Sequence, residues 1–131
     1  MIKAEELRIG NLVWDNYGGI YKVVNINSEG FDYIDAVKPN FKAIGRYELD
    51  SLEPIPLTEE WLVKFGFEQE EIQTKSDGTT EIGFVKDIIM VLKGTNFYYA
   101  APYGYPNARI VYVHQLQNLY FALTQTELTQ D

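Results

Sequence analysis

The sequence predicts an α+β fold: an N-terminal SH3-like small β-barrel, then a short helix, an antiparallel β-meander and a C-terminal helix. Three observations predict it. Short alternating segments joined by tight-turn residues fill residues 1–53, as in a strongly bent barrel. Two prolines then interrupt the chain, and the last apolar segment has helical spacing. We therefore expect two lobes, residues 1–53 and residues 54–131, which could pack as one unit.

The strands predicted in the first lobe are rich in β-branched and aromatic residues and are separated by turn residues. In the first turn, Gly18 and Gly19 can adopt the positive φ of a tight hairpin. The predicted strands are residues 12–14, 20–26, 31–37 and 41–44, and residues 47–52 follow as a last strand or one helical turn.

Pro54 and Pro56 form the connector between the predicted lobes, because proline cannot join a sheet ladder or a helix interior. Thr58 can then cap a short helix by accepting a hydrogen bond from an early backbone N–H. Gly66 follows as the residue that ends the helix.

The second lobe predicts a meander of short strands. Asp77-Gly78 is a typical hairpin turn. Residues 88–92 are almost continuously apolar, which predicts a central strand. The other predicted strands are residues 67–74, 80–85, 97–100 and 108–112.

The final helix has two faces at about 100° per residue. One is an apolar stripe predicted to face the core: Val113, Leu116, Leu119, Tyr120 and Leu123. The other holds His114, Gln117, Asn118 and Phe121. Residues 125–131 are polar, and we expect them to fray.

Composition limits the classes of function. The chain has 131 residues, a net charge of -8 and no cysteine, so disulfides and thiolate metal sites are excluded. An acidic chain makes nucleic acid an unlikely partner. No segment has the length and apolarity of a signal peptide or a membrane helix, so we expect a cytoplasmic protein that does not interact with membranes.

No pattern indicates catalysis, a metal site or a cofactor. The chain has three serines and one histidine, and neither a nucleophile elbow nor a phosphate-binding glycine loop occurs. Glu68, Glu70 and Glu71 are expected to form a solvated strand face rather than a calcium site. We expect a protein that is not an enzyme.

Two groups of residues are candidates for binding. The first is a candidate protein interface, for an unknown partner or for self-association; it combines a tyrosine-rich loop with the second helix face: Tyr103, Tyr105, His114, Gln117, Asn118 and Phe121. The second is a basic run with interleaved aromatic residues, a combination found in single-strand binders: Lys38, Phe41, Lys42, Arg46 and Tyr47.

Three blocks carry a resemblance to a known family: ELRIGNLV at residues 6–13, PIPLTEEWL with KFGF at residues 54–67, and VHQLQNLYFAL at residues 113–123. With these blocks the chain resembles a family of small uncharacterised proteins from gut anaerobic bacteria and their phages and prophages. Its members often end in Thr-Gly-Glu-Glu-Leu, whereas this chain has Gln125 in place of the glycine. The resemblance implies an origin in mobile elements and no particular reaction. We expect a non-enzymatic binding or adaptor protein, with single-stranded nucleic-acid binding as the alternative.

Overall fold

The computed structural model describes residues 2–15, 17–27, 33–38, 43–74, 76–94, 97–102 and 108–130. It has the predicted α+β class, with two antiparallel sheets and a C-terminal helix. The strands are β1 (Leu12–Trp14), β2 (Ile20–Asn27), β3 (Tyr33–Val37), β4 (Ile44–Glu48), β5 (Glu68–Thr74), β6 (Thr80–Lys86), β7 (Ile89–Lys93), β8 (Tyr98–Pro102) and β9 (Ala108–Ile110). The helices are α1 (Glu59–Lys64) and α2 (Val113–Thr124), with 3-10 turns at Ala4–Glu6 and Leu49–Ser51.

The chain folds as two units. Unit 1 is Met1–Pro56 with Tyr112–Leu119, and unit 2 is Leu57–Val111 with Tyr120–Asp131. The first break lies in the proline connector, close to the predicted boundary. The sequence placed the whole final helix in the second lobe, whereas the structure assigns its first turns to unit 1. Side-chain hydrogen bonds from those turns to the N-terminal segment, described below, account for the difference.

Unit 1 is built on a four-stranded sheet in the order β1-β2-β3-β4. At the edge strand β1, the backbones of Trp14 and Glu53 also pair, with hydrogen bonds of 3.1 and 2.8 Å. β4 begins at Ile44, where the sequence expected a strand to end, and the 3-10 turn Leu49–Ser51 follows it. The core is apolar and comprises Ile2, Ala4, Leu7, Val13, Tyr21, Val23, Ile34, Ala36, Leu49 and Leu52.

Unit 2 is built on a five-stranded sheet in the order β5-β6-β7-β8-β9. β7 is the central strand, as its apolar run predicts. The predicted cap of α1 is confirmed, since the Trp61 N–H donates to the Thr58 hydroxyl at 3.4 Å. Gly66 and Gly78 both have φ of +89°, so the helix end and the hairpin turn lie where the glycines predict them.

One face of the unit 2 sheet, here called the inner face, is core. Phe84 pairs with Val91 and Val91 with Ala100, and these three side chains are buried. Helix α1 and its C-cap residue contribute Trp61, Leu62 and Phe65 to the buried residues of this unit. The Lys86 ammonium donates to the Phe65 carbonyl at 2.6 Å, which links β6 to the end of α1.

Helix α2 ends at Thr124, as predicted, although the chain lacks the glycine of the related pattern. Gln125 adopts the left-handed conformation that glycine favours, with φ of +60°. Its N–H donates to the Phe121 carbonyl at 2.8 Å. The expectation that the tail frays does not hold, because Leu128 is 1% exposed and belongs to the core. No helix among the described residues could span a bilayer.

Candidate protein-binding surface

The second face of the unit 2 sheet, here called the outer face, carries one register row that crosses all five strands. Backbone pairing runs from Glu70 to Gly83, from Gly83 to Leu92, from Leu92 to Tyr99 and from Tyr99 to Arg109. Directly paired residues in antiparallel strands project to the same face. The outer face therefore has a glutamate at one end of this row and an arginine at the other.

A second, shorter row strengthens the apolar character of the outer face. Val85 pairs with Glu68 on one side and with Met90 on the other. Val85, Met90, Leu92 and Tyr99 are half-buried, unlike the buried Phe84, Val91 and Ala100 of the inner face. An antiparallel sheet with one solvated face normally alternates apolar and polar residues. Strands β6, β7 and β8 instead present apolar side chains on both faces, and an apolar sheet face that is only partly buried is a candidate interaction surface.

Aromatic and cationic groups meet at the β8–β9 end of the outer face. The Phe97 and Tyr99 rings contact edge to face, with centroids 4.8 Å apart. The Arg109 guanidinium lies 4.3 Å from the Phe97 ring centroid. Arg109 is exposed, and so are Glu68 and Glu70 on β5. Tyrosine, methionine and arginine are enriched at protein interfaces, where the charged groups lie mainly at the rim.

None of the predicted interface residues that the structure describes belongs to the outer face. Tyr103 and Tyr105 fall outside the described residues. His114 and Gln117 are 2% and 1% exposed, so the fold does not present them to a partner. Asn118 and Phe121 are half-buried. Polar residue type suggested an exposed helix face, but over the first turns of α2 this face is turned into unit 1.

Hydrogen bonds explain why amide side chains pack there. Gln117 accepts from the Leu12 N–H at 2.9 Å and donates to the Gly10 carbonyl at 3.2 Å. Asn118 accepts from the Asn11 amide at 2.8 Å and from Arg8 at 3.1 Å. These side chains satisfy backbone and side-chain groups in the segment before β1 and at the first residue of β1. Their role is to hold the start of α2 to unit 1.

His114 lies in the same part of unit 1. Its ring stacks on Tyr112 with centroids 5.9 Å apart, and the buried Nδ1 has no hydrogen-bond partner among the described residues. Burial lowers the pKa of His114 from its usual value, while the nearby Glu6 carboxylate opposes the change. The neutral imidazole is thus the form that the fold favours.

The described basic residues of this run, Lys38 and Arg46, each interact with another side chain of unit 1. The Lys38 ammonium lies 5.4 Å from the Tyr21 ring centroid, and Arg46 binds Asp35 at 3.1 Å. Arg46 also lowers the pKa of the Asp35 carboxyl through this hydrogen bond. Adjacent residues of β4 point to opposite faces, so Tyr47 packs against Tyr21 while Arg46 does not share that face. Phe41 and Lys42 lie outside the described residues.

In unit 2 the titratable side chains of Tyr120, Asp87 and Lys86 lie close together, and their contacts stabilise the packing. The buried Tyr120 hydroxyl donates to Asp87 in the β6–β7 turn, and Lys86 lies 5.8 Å from the Tyr120 ring. Burial and this hydrogen bond raise the pKa of Tyr120 to about 12. Asp87 has φ of +54°, an uncommon conformation for a non-glycine residue, so the bond also helps to fix the turn.

The groove beside α1 and the acidic strand β5 were also considered as a ligand site and a metal site. A shallow groove of about 500 Å³ lies beside α1, and its lining combines charged and apolar side chains: Glu59, Glu60, Val63, Lys64, Gln69 and Phe84. Among the described residues, no three acidic or histidine side chains converge as metal ligands would. Glu68, Glu70 and Glu71 are exposed on the edge strand β5, where charges discourage uncontrolled strand pairing.

The sequence does not predict the outer face as a binding surface, because the apolar run at residues 88–92 indicates a strand that is covered on both sides. A usable signal was the alternation of the flanking strands: Glu68 and Glu70 at one edge, and Arg109 at the other, share the side of Met90 and Leu92.

No protein-family model, curated protein or solved structure matches the chain.

Proposed function

We propose that this chain is a non-enzymatic binding protein that acts through protein–protein contacts, and that the outer face of unit 2 makes the contact. The observation that supports the proposal most is the apolar centre of that face, flanked by exposed charges of opposite sign. The resemblance noted above favours an adaptor of phage or prophage origin.

The chemistry of the outer face suits a protein partner better than a small ligand. Small-molecule sites are concave and surround their ligand, whereas this face is the side of an open sheet. Met90, Leu92 and Tyr99 offer apolar contact area, and the Arg109–Phe97 pair offers a charged rim. Affinity at such surfaces comes from a few central apolar or aromatic residues. Leu92 and Tyr99 are therefore the residues expected to contribute most.

Within the same proposal, unit 1 is an SH3-like small barrel that serves as a stable scaffold. Two features support this. After β4, the 3-10 turn Leu49–Ser51 brings the chain back to β1, where Glu53 pairs with Trp14. The register of β2 against β3 shifts between Val23 and Asn25, as it does at a β-bulge, and bulges increase the bend of a strand.

The proposal is tested by placing a photo-cross-linking amino acid at Leu92 in the full chain. Glu71 is the control position, because it lies on the same sheet but its side chain projects to the other face. Irradiation in an extract of the encoding organism should give a discrete cross-linked protein from position 92 and not from position 71. Equal products from both positions, or none from position 92, would contradict the proposal.

A further inference from the structure

We infer that the occupant of the outer face is a second copy of this chain, in a two-fold dimer that pairs Glu70 of each copy with Arg109 of the other. This inference rests on the proposed function and specifies its partner. It follows from three properties of one register row: the positions of its charges, of its largest ring and of its glycine.

The charges lie at the two ends of the row. Glu70 is on the edge strand β5 and Arg109 on the edge strand β9, with Leu92 on the central strand β7. With strands about 4.8 Å apart, the backbones of the two charged residues are about 19 Å apart, and Leu92 is midway. The row is therefore antisymmetric in charge about β7.

A two-fold axis between two packed sheet faces has to lie in the plane of the interface. An axis perpendicular to the strands places β5 over β5, so that Glu68 and Glu70 of the two copies repel each other. An axis parallel to the strands places β5 over β9, so that Glu70 of each copy faces Arg109 of the other. Opposite charges favour the second arrangement and like charges disfavour the first.

The same axis matches the shapes along the row. Rotation about β7 exchanges β6 with β8, so Gly83 of one copy faces Tyr99 of the other. Gly83 has no side chain, and Tyr99 has the largest side chain among the apolar members of the row. Leu92 packs against Leu92 near the axis. Side chains that interdigitate in this way fill the space between two sheets packed about 10 Å apart.

The face is small. Five strands of about five residues cover about 20 Å by about 17 Å, which is below the size of a standard stable interface. We therefore expect a dimer that forms at micromolar concentration and dissociates on dilution. The two pairs of charges then contribute a large part of its specificity.

Charge reversal with sedimentation velocity tests the inference. Wild-type chain should change from monomer to dimer across a micromolar dilution series. Glu70→Lys alone and Arg109→Glu alone should each weaken dimerisation about tenfold or more, because both pairs become repulsive. An equimolar mixture of the two variants should dimerise again. In the mixed dimer the introduced lysine faces the introduced glutamate, and the remaining Glu70 faces the remaining Arg109. Glu71→Lys changes the net charge as Glu70→Lys does, but on the opposite face, and should dimerise as the wild type does.

Three results would overturn the inference: wild-type chain that stays monomeric at hundreds of micromolar, single reversals that dimerise normally, or a mixture that remains monomeric. Circular dichroism checks that the variants are folded, and Glu70→Gln with Arg109→Gln replaces any reversal that does not fold, with a smaller loss expected. A monomeric wild type that still cross-links another protein from position 92 would remove the second copy and leave the proposed function standing.

Discussion

The side-chain carbonyl of Gln117 accepts a hydrogen bond from the backbone N–H of Leu12 at 2.9 Å, and Gln117 is 1% exposed. This contact replaces the solvent that the N–H would otherwise bind. Gln117→Leu keeps the volume but leaves that N–H and the Gly10 carbonyl without their partner. We expect a loss of about 1–3 kcal/mol in the free energy of unfolding, measured by urea denaturation. Gln69→Leu, at an exposed strand position, is the control. Equal urea midpoints for Gln117→Leu and wild type would contradict this role.

The pH dependence of stability near neutrality should come from His114. Because burial lowers its pKa from 6.5, the unfolded chain takes up a proton before the folded chain does. The stability that the neutral ring contributes is therefore present above pH 6.5 and is lost as the pH falls through the lowered pKa. His114→Phe keeps an aromatic ring beside Tyr112 and should flatten the stability profile between about pH 5 and 7. An unchanged profile would show that other groups are responsible.

Alkaline unfolding should follow two tyrosines. Burial and hydrogen bonds to Asp15 and Asp87 raise the pKa of Tyr21 and of Tyr120 to about 12. Since the folded pKa lies above the ordinary value of 10.0, their contribution to stability is complete below pH 10 and is lost as the pH rises to about 12. Tyrosinate absorbance and far-ultraviolet circular dichroism recorded together should show that these groups ionise as the chain unfolds. Tyr120→Phe should remove one late-titrating group; an unaltered titration curve would argue against the assignment.

Gln125 should be a position where glycine stabilises the protein. Its φ of +60° is unfavourable for a residue with a Cβ atom, by about 1 kcal/mol. Gln125→Gly should raise the free energy of unfolding by about 0.5–1 kcal/mol, even after the greater freedom of glycine in the unfolded chain is included. Gln125→Ala keeps the strain and removes the side-chain amide, so it should not stabilise. A glycine variant no more stable than the alanine variant would mean that the backbone here relaxes without cost.

Local rules predicted the elements well. Thr58 and Gly66 marked α1, and the apolar run at residues 88–92 marked the central strand, because caps, turns and periodicity depend on near neighbours. The apolar stripe of α2 was predicted in part: Val113, Leu116 and Tyr120 are buried, whereas Leu119 and Leu123 are half-buried.

The sites were harder to predict, because burial of a polar residue depends on distant partners. From its residue type, Gln117 is expected at the surface. Its burial depends on hydrogen bonds to Gly10 and Leu12, which are distant in the sequence, and no spacing rule predicts that contact. The outer face could not be recognised for a different reason. The sequence of an apolar strand is the same whether its second face is covered by another layer of its own chain or by a partner protein.

Adjacent residues of β7 provide the most direct test of the central claim that the outer face contacts a protein rather than the chain's own core. Val91 is fully buried on the inner face, and Leu92 is half-buried on the outer face. Unfolding free energies of Val91→Ser and Leu92→Ser should be measured beside their association by sedimentation and by cross-linking. Val91→Ser should cost about 2–4 kcal/mol, whereas Leu92→Ser should cost clearly less but abolish association. A Leu92→Ser variant destabilised as much as Val91→Ser, with association unchanged, would contradict the claim.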